Sequence, residues 1–305
     1  MLIKNEKSRF IIGCMFALLG GAAYAVGGSC GQALYLYNGM EAGWLVPVRM
    51  LISGFLMLSF CSLKKQNIFS PFKRRHYLID LIIFALIGTT LSQLGFYASV
   101  QYSNVAFATV FAYASAVFVL IYEAFHYKRL PYKEEVASII LVIFGIFVLC
   151  THCDLSKLAV PPIAFLCGFI GALGWACYTV QPVRLLNRYP LFMVIGWGQI
   201  IAGIVCGLIF RPWHYDTVIY NSDLFLFMSG VIGIGTIVSF STFLYGVKLV
   251  GGVVSNVLCA IEPVISVFIC LYALNIPLTG YDVAGMTIVV MAIVILSVFK
   301  GKRQK

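Results

Sequence analysis

The stretch IGTTLSQLGFYASV, residues 87–100, returns 147 positions later as IGTIVSFSTFLYGV, residues 234–247. Ile87, Gly88, Thr89, Ser92, Phe96 and Val100 coincide with Ile234, Gly235, Thr236, Ser239, Phe243 and Val247. The same offset pairs Val136 and Ala137 with Val283 and Ala284, and Val142 with Val289. An offset of 151 lays GGAAYA (20–25) over GALGWA (171–176), which sets Tyr24 beside Trp175. Apolar residues match easily by chance, but matches in the same order along both halves do not. The chain therefore reads as two copies of one unit, residues 1–151 and 152–305.

Composition says what kind of unit this is. Of 305 residues, 61% are hydrophobic and only 10% charged, against roughly 25% charged in soluble domains. Apolar runs near the roughly 20-residue length of a bilayer crossing recur along the whole chain, at 10–37, 42–63, 78–101, 105–126, 134–151, 161–183, 190–210, 223–247, 252–274 and 280–299. None shows the alternating polarity of a membrane β-barrel strand. The expected fold is an all-α membrane protein with ten transmembrane helices. The basic N-terminus resembles a signal peptide, but its apolar run passes residue 30 without a small-residue cleavage site, so it reads as helix 1.

Each unit holds five helices, an odd number, so the second enters the membrane from the opposite side and lies inverted. Inverted repeats are characteristic of secondary transporters, in which a site near the midplane faces each side in turn. The net charge of +10 invites a nucleic-acid reading, but its placement argues for topology. Eighteen of the 21 Lys and Arg fall before helix 1, in the loops 2–3, 4–5, 6–7 and 8–9, or after helix 10, all on one side of an alternating bundle. Lys157 and Arg211 alone occupy the opposite loops, and Arg49 lies within helix 2. By the positive-inside rule both termini are cytoplasmic, and the basic loops touch anionic lipid rather than nucleic acid.

Two residues are costly where they stand. In CAIEPVISVF (259–268), Glu262 brings a carboxyl to a span at roughly 2.5–3.5 kcal/mol on insertion scales, and Pro263 removes a helix hydrogen bond. One reading places Glu262 in a watery central cavity, in contact with cargo or a proton, with Pro263 freeing a carbonyl near residue 259 and letting the helix bend during exchange. The other makes Glu262 a structural carboxyl tied by hydrogen bonds to neighbouring helices, as at a capped break. Arg49 likewise has two readings: an anion-binding or ion-paired cation, or a side chain snorkelling to the outer interface.

Gln32, Gln93, Gln181, Gln199 and Asn256 also fall within spans and need partners there. Trp44, Trp213, Tyr77, Tyr127 and Tyr189 suit interfacial belts. Eight of the ten cysteines lie in or at the ends of spans and read as small packing residues. Cys150 and Cys153, in CTHC, could pair or bind a metal, but with His152 they make an incomplete zinc set, and their placement reads as incidental. No P-loop, zinc-protease motif or nucleophile elbow occurs, so neither an ATP-driven pump nor an enzyme is expected, and no cofactor or metal.

VLCAIEPVISVFICLYALNIPLTGYDVAGMTIVVMAIVIL (257–296), together with GGAAYA, Arg49 after WLVP, FYASVQYSNVAFATVF (96–111) and GALGWA, resembles the EamA-type branch of the drug/metabolite transporter superfamily along essentially the whole chain. The resemblance implies a cavity lined by helices 1, 3, 4, 6, 8 and 9. Substrate-contacting candidates are then Glu262, Arg49, Gln93, Tyr24, Tyr97, Tyr113, Trp175 and Tyr178, with Pro263 as a gating element. Relatives often carry Glu in the turns after helices 4 and 9, where this chain has Lys128 and Ile276. The implied function is alternating-access transport of small organic metabolites across the cytoplasmic membrane, foremost export of amino acids or related compounds. Uptake of a nutrient or quaternary amine is the alternative, and a scaffold or lipid-handling protein the rival from another class. Proton coupling and a homodimer are compatible with this reading.

Overall fold

Where lipid replaces water, apolar surface gains little by leaving the solvent, so helices are held by close packing and by hydrogen bonds between them. The computed structural model describes residues 6–126, 128, 132–154, 159–216, 218–250, 255 and 258–303, all helix, turn or loop without a strand. The long helices are α1 (Glu6–Asn38), α2 (Ala42–Leu63), α3 (Arg75–Tyr102), α4 (Val105–His126), α5 (Lys133–Thr151), α6 (Pro162–Val180), α7 (Leu191–Phe210), α8 (222–250), α9 (Ile261–Tyr272) and α10 (Gly280–Arg303).

Local signals account for many of the boundaries. Gly39 takes the left-handed conformation (φ 60°) that stops α1, as glycine without a Cβ can. Pro161 and Pro162 open α6, where a missing N–H costs nothing. Asn221 caps α8 by accepting the Leu224 N–H at 2.9 Å. Its side chain also accepts from Asn38 Nδ2 at 2.9 Å, which pins the end of α1 to the start of α8.

The packing has the symmetry that the sequence repeat implies. Helix α2 lies along its counterpart α7, and α5 along α10; α1 lies on α8 as α6 lies on α3. The contact of α1 with α9 is likewise matched by that of α6 with α4. Individual residues obey the rule as well. Gly20 sits against the Phe243 backbone, where a Cβ would come within 2.9 Å, and its equivalent Gly171 sits against Phe96, at 3.1 Å. The ten-helix, two-repeat inverted architecture follows.

Two features were not foreseen. Helix α3 carries a π-helical turn at Phe84–Thr89 and α8 one at Gly230–Val238, at equivalent places in the repeat. Such turns are rare and gather at functional sites. The second feature corrects the sequence reading of helix 9 as one span from 252 to 274. A turn at Ala260 separates residues 258–259 from α9, which starts at Ile261. Glu262 and Pro263 thus belong to a first turn, where proline is tolerated and a carboxylate meets the positive end of the helix dipole.

Candidate functional site

Arg49 projects from α2 into the bundle and is only 2% exposed. Its Nη1 donates to Tyr97 Oη at 3.2 Å and to Thr236 Oγ1 at 3.3 Å, and its Nη2 donates to Gln93 Oε1. The guanidinium also lies 4.5 Å from the centre of the Tyr97 ring, a cation–π distance. These partners come from α3 and α8, so the snorkelling alternative is overturned: the side chain turns inward because three polar groups meet it there. Tyr97 is held in turn by Tyr35, whose hydroxyl donates to the Tyr97 carbonyl at 3.1 Å. Among the described residues no carboxylate pairs with Arg49. Arg49 Nε has no partner.

Glu262 and Tyr113 form a second group. Pro263 has no N–H to offer the carbonyl four residues earlier, that of Cys259. The Tyr113 hydroxyl takes that place, donating to Cys259 O at 2.6 Å, and lies 3.3 Å from Glu262 Oε2. Glu262 itself is half-buried. Gly21 lets α1 approach here, since a Cβ on it would stand 2.8 Å from the same carbonyl. The Cys259 carbonyl is the one that Pro263 leaves free near residue 259, and Glu262 stands at the helix break in contact with Tyr113.

The third group is aromatic. Tyr24 meets the ring of Phe240 edge-on at 5.2 Å between centroids and Trp175 at 6.5 Å. Tyr178 closes the set at 5.3 Å from Trp175 and 5.9 Å from Phe240. Met57 and Ile195 pack against it. Trp175 Nε1 and Tyr178 Oη are buried without hydrogen-bond partners.

The structure therefore joins Arg49, Gln93 and Tyr97; Tyr113, Glu262 and Pro263; and Tyr24, Trp175 and Tyr178. It places no ion pair between Arg49 and Glu262. Sequence reasoning missed Thr236 and Phe240, although both stand at repeat positions of residues it weighed: Thr236 matches Thr89, and Phe240 matches Gln93.

Elsewhere, Gln32 accepts the Val105 N–H at 2.8 Å and Gln181 donates to the Asp80 carbonyl at 2.8 Å, both serving as links between helices. Asn256 lies outside the described residues. Trp44 is buried in the core rather than part of an interfacial belt, whereas Trp213 is 65% exposed. Cys150 and Cys153 are unpaired thiols, and His152 Nε2 lies 2.9 Å from Asp282 Oδ1. Among the described residues no three His, Cys, Asp or Glu gather as metal ligands.

Comparison with known proteins gives a consistent picture. The model of the EamA-like transporter family matches residues 11–151 and again 162–298. The uncharacterised inner membrane transporter YicL of Salmonella typhimurium is 27% identical over 293 residues, covering 96% of this chain and 97% of the relative. A solved protein crystal structure superposes with a TM-score of 0.63 over 98% of this chain and 99% of its own, at 16% identity, a likeness of fold.

Proposed function

This chain belongs to the EamA-like transporter family, and from that premise we propose that it moves small organic metabolites bearing a carboxylate, foremost amino acids, outward across the cytoplasmic membrane by alternating access. The observation that supports this reading is Arg49, a buried cation with no described carboxylate partner. An unpaired charge removed from water costs several kcal/mol. Its guanidinium instead meets the neutral acceptors of Gln93, Tyr97 and Thr236, which orient it and leave its charge for an anionic ligand. The half-exposed Glu262 offers the opposite charge to an ammonium. Proton coupling through Glu262 belongs to this reading.

The inner membrane location is supported by the relative from Salmonella, and cytoplasmic termini by the distribution of basic residues. These residues face anionic lipid headgroups, and no nucleic-acid partner is proposed. A quaternary amine is the second reading, favoured by the aromatic group of Tyr24, Trp175, Tyr178 and Phe240, since ring faces attract such cations.

A thermal-shift screen of the purified protein against amino acids, organic anions, quaternary amines and nucleosides tests the proposal. A ligand of the folded state raises the melting temperature with concentration. Amino acids should do so in the wild type and lose the effect in Arg49→Gln. A response to quaternary amines alone would favour the second reading, and no response from any class would count against both.

A further inference from the structure

The contact between Arg49 and Thr236 has a repeat-related counterpart that is unmade. Arg49 lies seven residues beyond the start of α2 at Ala42, and Gln199 lies eight beyond the start of the counterpart helix α7 at Leu191. Thr236 and Thr89 are equivalent in the repeat, each in its π-helical turn. Helix α2 packs on the π turn of α8, and α7 on that of α3. In the first pair Thr236 Oγ1 donates to the Val231 carbonyl at 2.9 Å and accepts from Arg49 at 3.3 Å.

In the second pair neither Gln199 Nε2, Gln199 Oε1 nor Thr89 Oγ1 has a partner, although Gln199 is 0% and Thr89 1% exposed. Helix α7 brings Gly198, the residue before Gln199, against that threonine: a Cβ on Gly198 would stand 3.3 Å from Thr89 Oγ1. Buried polar atoms are nearly always hydrogen-bonded, and each one left unsatisfied is destabilising. A rearrangement that brings the two side chains together would satisfy them within the protein itself.

We infer that Arg49–Thr236 and Gln199–Thr89 are alternative contacts of the two inverted halves, the first closed in this conformation and the second in the exchanged one. In an inverted repeat the two halves swap shapes, so a contact made by one half in one state is made by the other half in the next. The free energy lost at one pair is recovered at the other, which keeps the two states close enough to interconvert. Because the pairs lie toward opposite ends of the bundle, they bias which end opens. This inference rests on the alternating-access reading but needs no knowledge of the cargo.

The test uses native thiols of the purified full-length protein, labelled with N-ethylmaleimide and read site by site by mass spectrometry. Cys30 packs on Gly230, at the head of the α8 π turn and on the Arg49 side; Cys177 lies on α6 between Trp175 and Tyr178 in sequence. Both are half-buried, and the exposed Cys153 serves as control. Thr236→Val should raise labelling at Cys30 and lower it at Cys177, so that the ratio of the two changes by about fivefold, the shift in equilibrium that one ordinary hydrogen bond produces. Gln199→Leu should do the reverse. Thr236→Ser and Gln199→Asn, which keep hydrogen-bonding groups, should stay near wild type. Labelling that changes in the same direction at both cysteines would indicate simple loosening and overturn the inference, as would no change in either variant. Failure of the ligand screen with opposed labelling intact would touch the cargo reading and leave the exchange of contacts standing.

Discussion

Pro263 follows Cys259 by four residues, and the carbonyl that its missing N–H would have engaged receives the Tyr113 hydroxyl at 2.6 Å. Helix α4 thus completes the backbone of the α9 region, and the same hydroxyl stands beside the Glu262 carboxyl.

Tyr113→Phe leaves that carbonyl unsatisfied and should lower stability by about 1–3 kcal/mol. Pro263→Ala restores an N–H, so adding Tyr113→Phe to it should cost clearly less. A double-mutant cycle on reversible unfolding in detergent reads the coupling. Strict additivity would show that Tyr113 does not stand in for the lost backbone bond.

Arg49→Met should stabilise the ligand-free protein by less than the several kcal/mol that an unpaired buried charge costs, because it also strands Gln93 Oε1 and the Tyr97 hydroxyl. The same variant should lose every response to carboxylate ligands. Arg49→Lys keeps the charge but not the planar fork that serves Gln93, Tyr97 and Thr236 at once, so it should bind with at least about tenfold lower affinity. Melting curves with and without ligand measure both effects.

Gly20→Val and Gly171→Val should destabilise the protein alike, since each drives a side chain into the backbone of a symmetry-equivalent helix. Overpacking costs about 1–3 kcal/mol or more. A large loss at one site with none at the other, measured by melting temperature, would contradict the equivalence of the two halves.

Reporter tags fused at each terminus should both be inaccessible to impermeant reagents in intact cells and accessible in inverted vesicles. Opposite exposure of the two tags would overturn the topology drawn from Lys and Arg placement.

The architecture was legible in the sequence because it depends on patterns that survive without atomic detail: span length, and a repeat whose glycines and phenylalanines mark where helices cross. Gly20 with Phe243 and Gly171 with Phe96 are the clearest case, since the offsets that align the halves also name the contacts. The site was legible in part. Arg49, Gln93 and Tyr97 could be named individually, yet nothing in their spacing says that one guanidinium gathers both others with Thr236. Thr236 was hidden because a threonine bonded to its own helix is ordinary in a span; only its place in a π turn brings it out. The break before α9 was obscured because an apolar run looks the same whether its helix is continuous or restarts at a turn, and Glu262 with Pro263 gave the hint.

The most direct test is release of a radiolabelled amino-acid mixture from preloaded proteoliposomes containing the purified protein, compared with Arg49→Gln vesicles and protein-free vesicles. Release of one or a few amino acids by wild type, reduced to the protein-free rate by Arg49→Gln at equal incorporation, is the predicted result. Retention of every amino acid at the protein-free rate, or release indifferent to Arg49→Gln, would contradict the proposal that this buried cation receives the carboxylate of a transported amino acid.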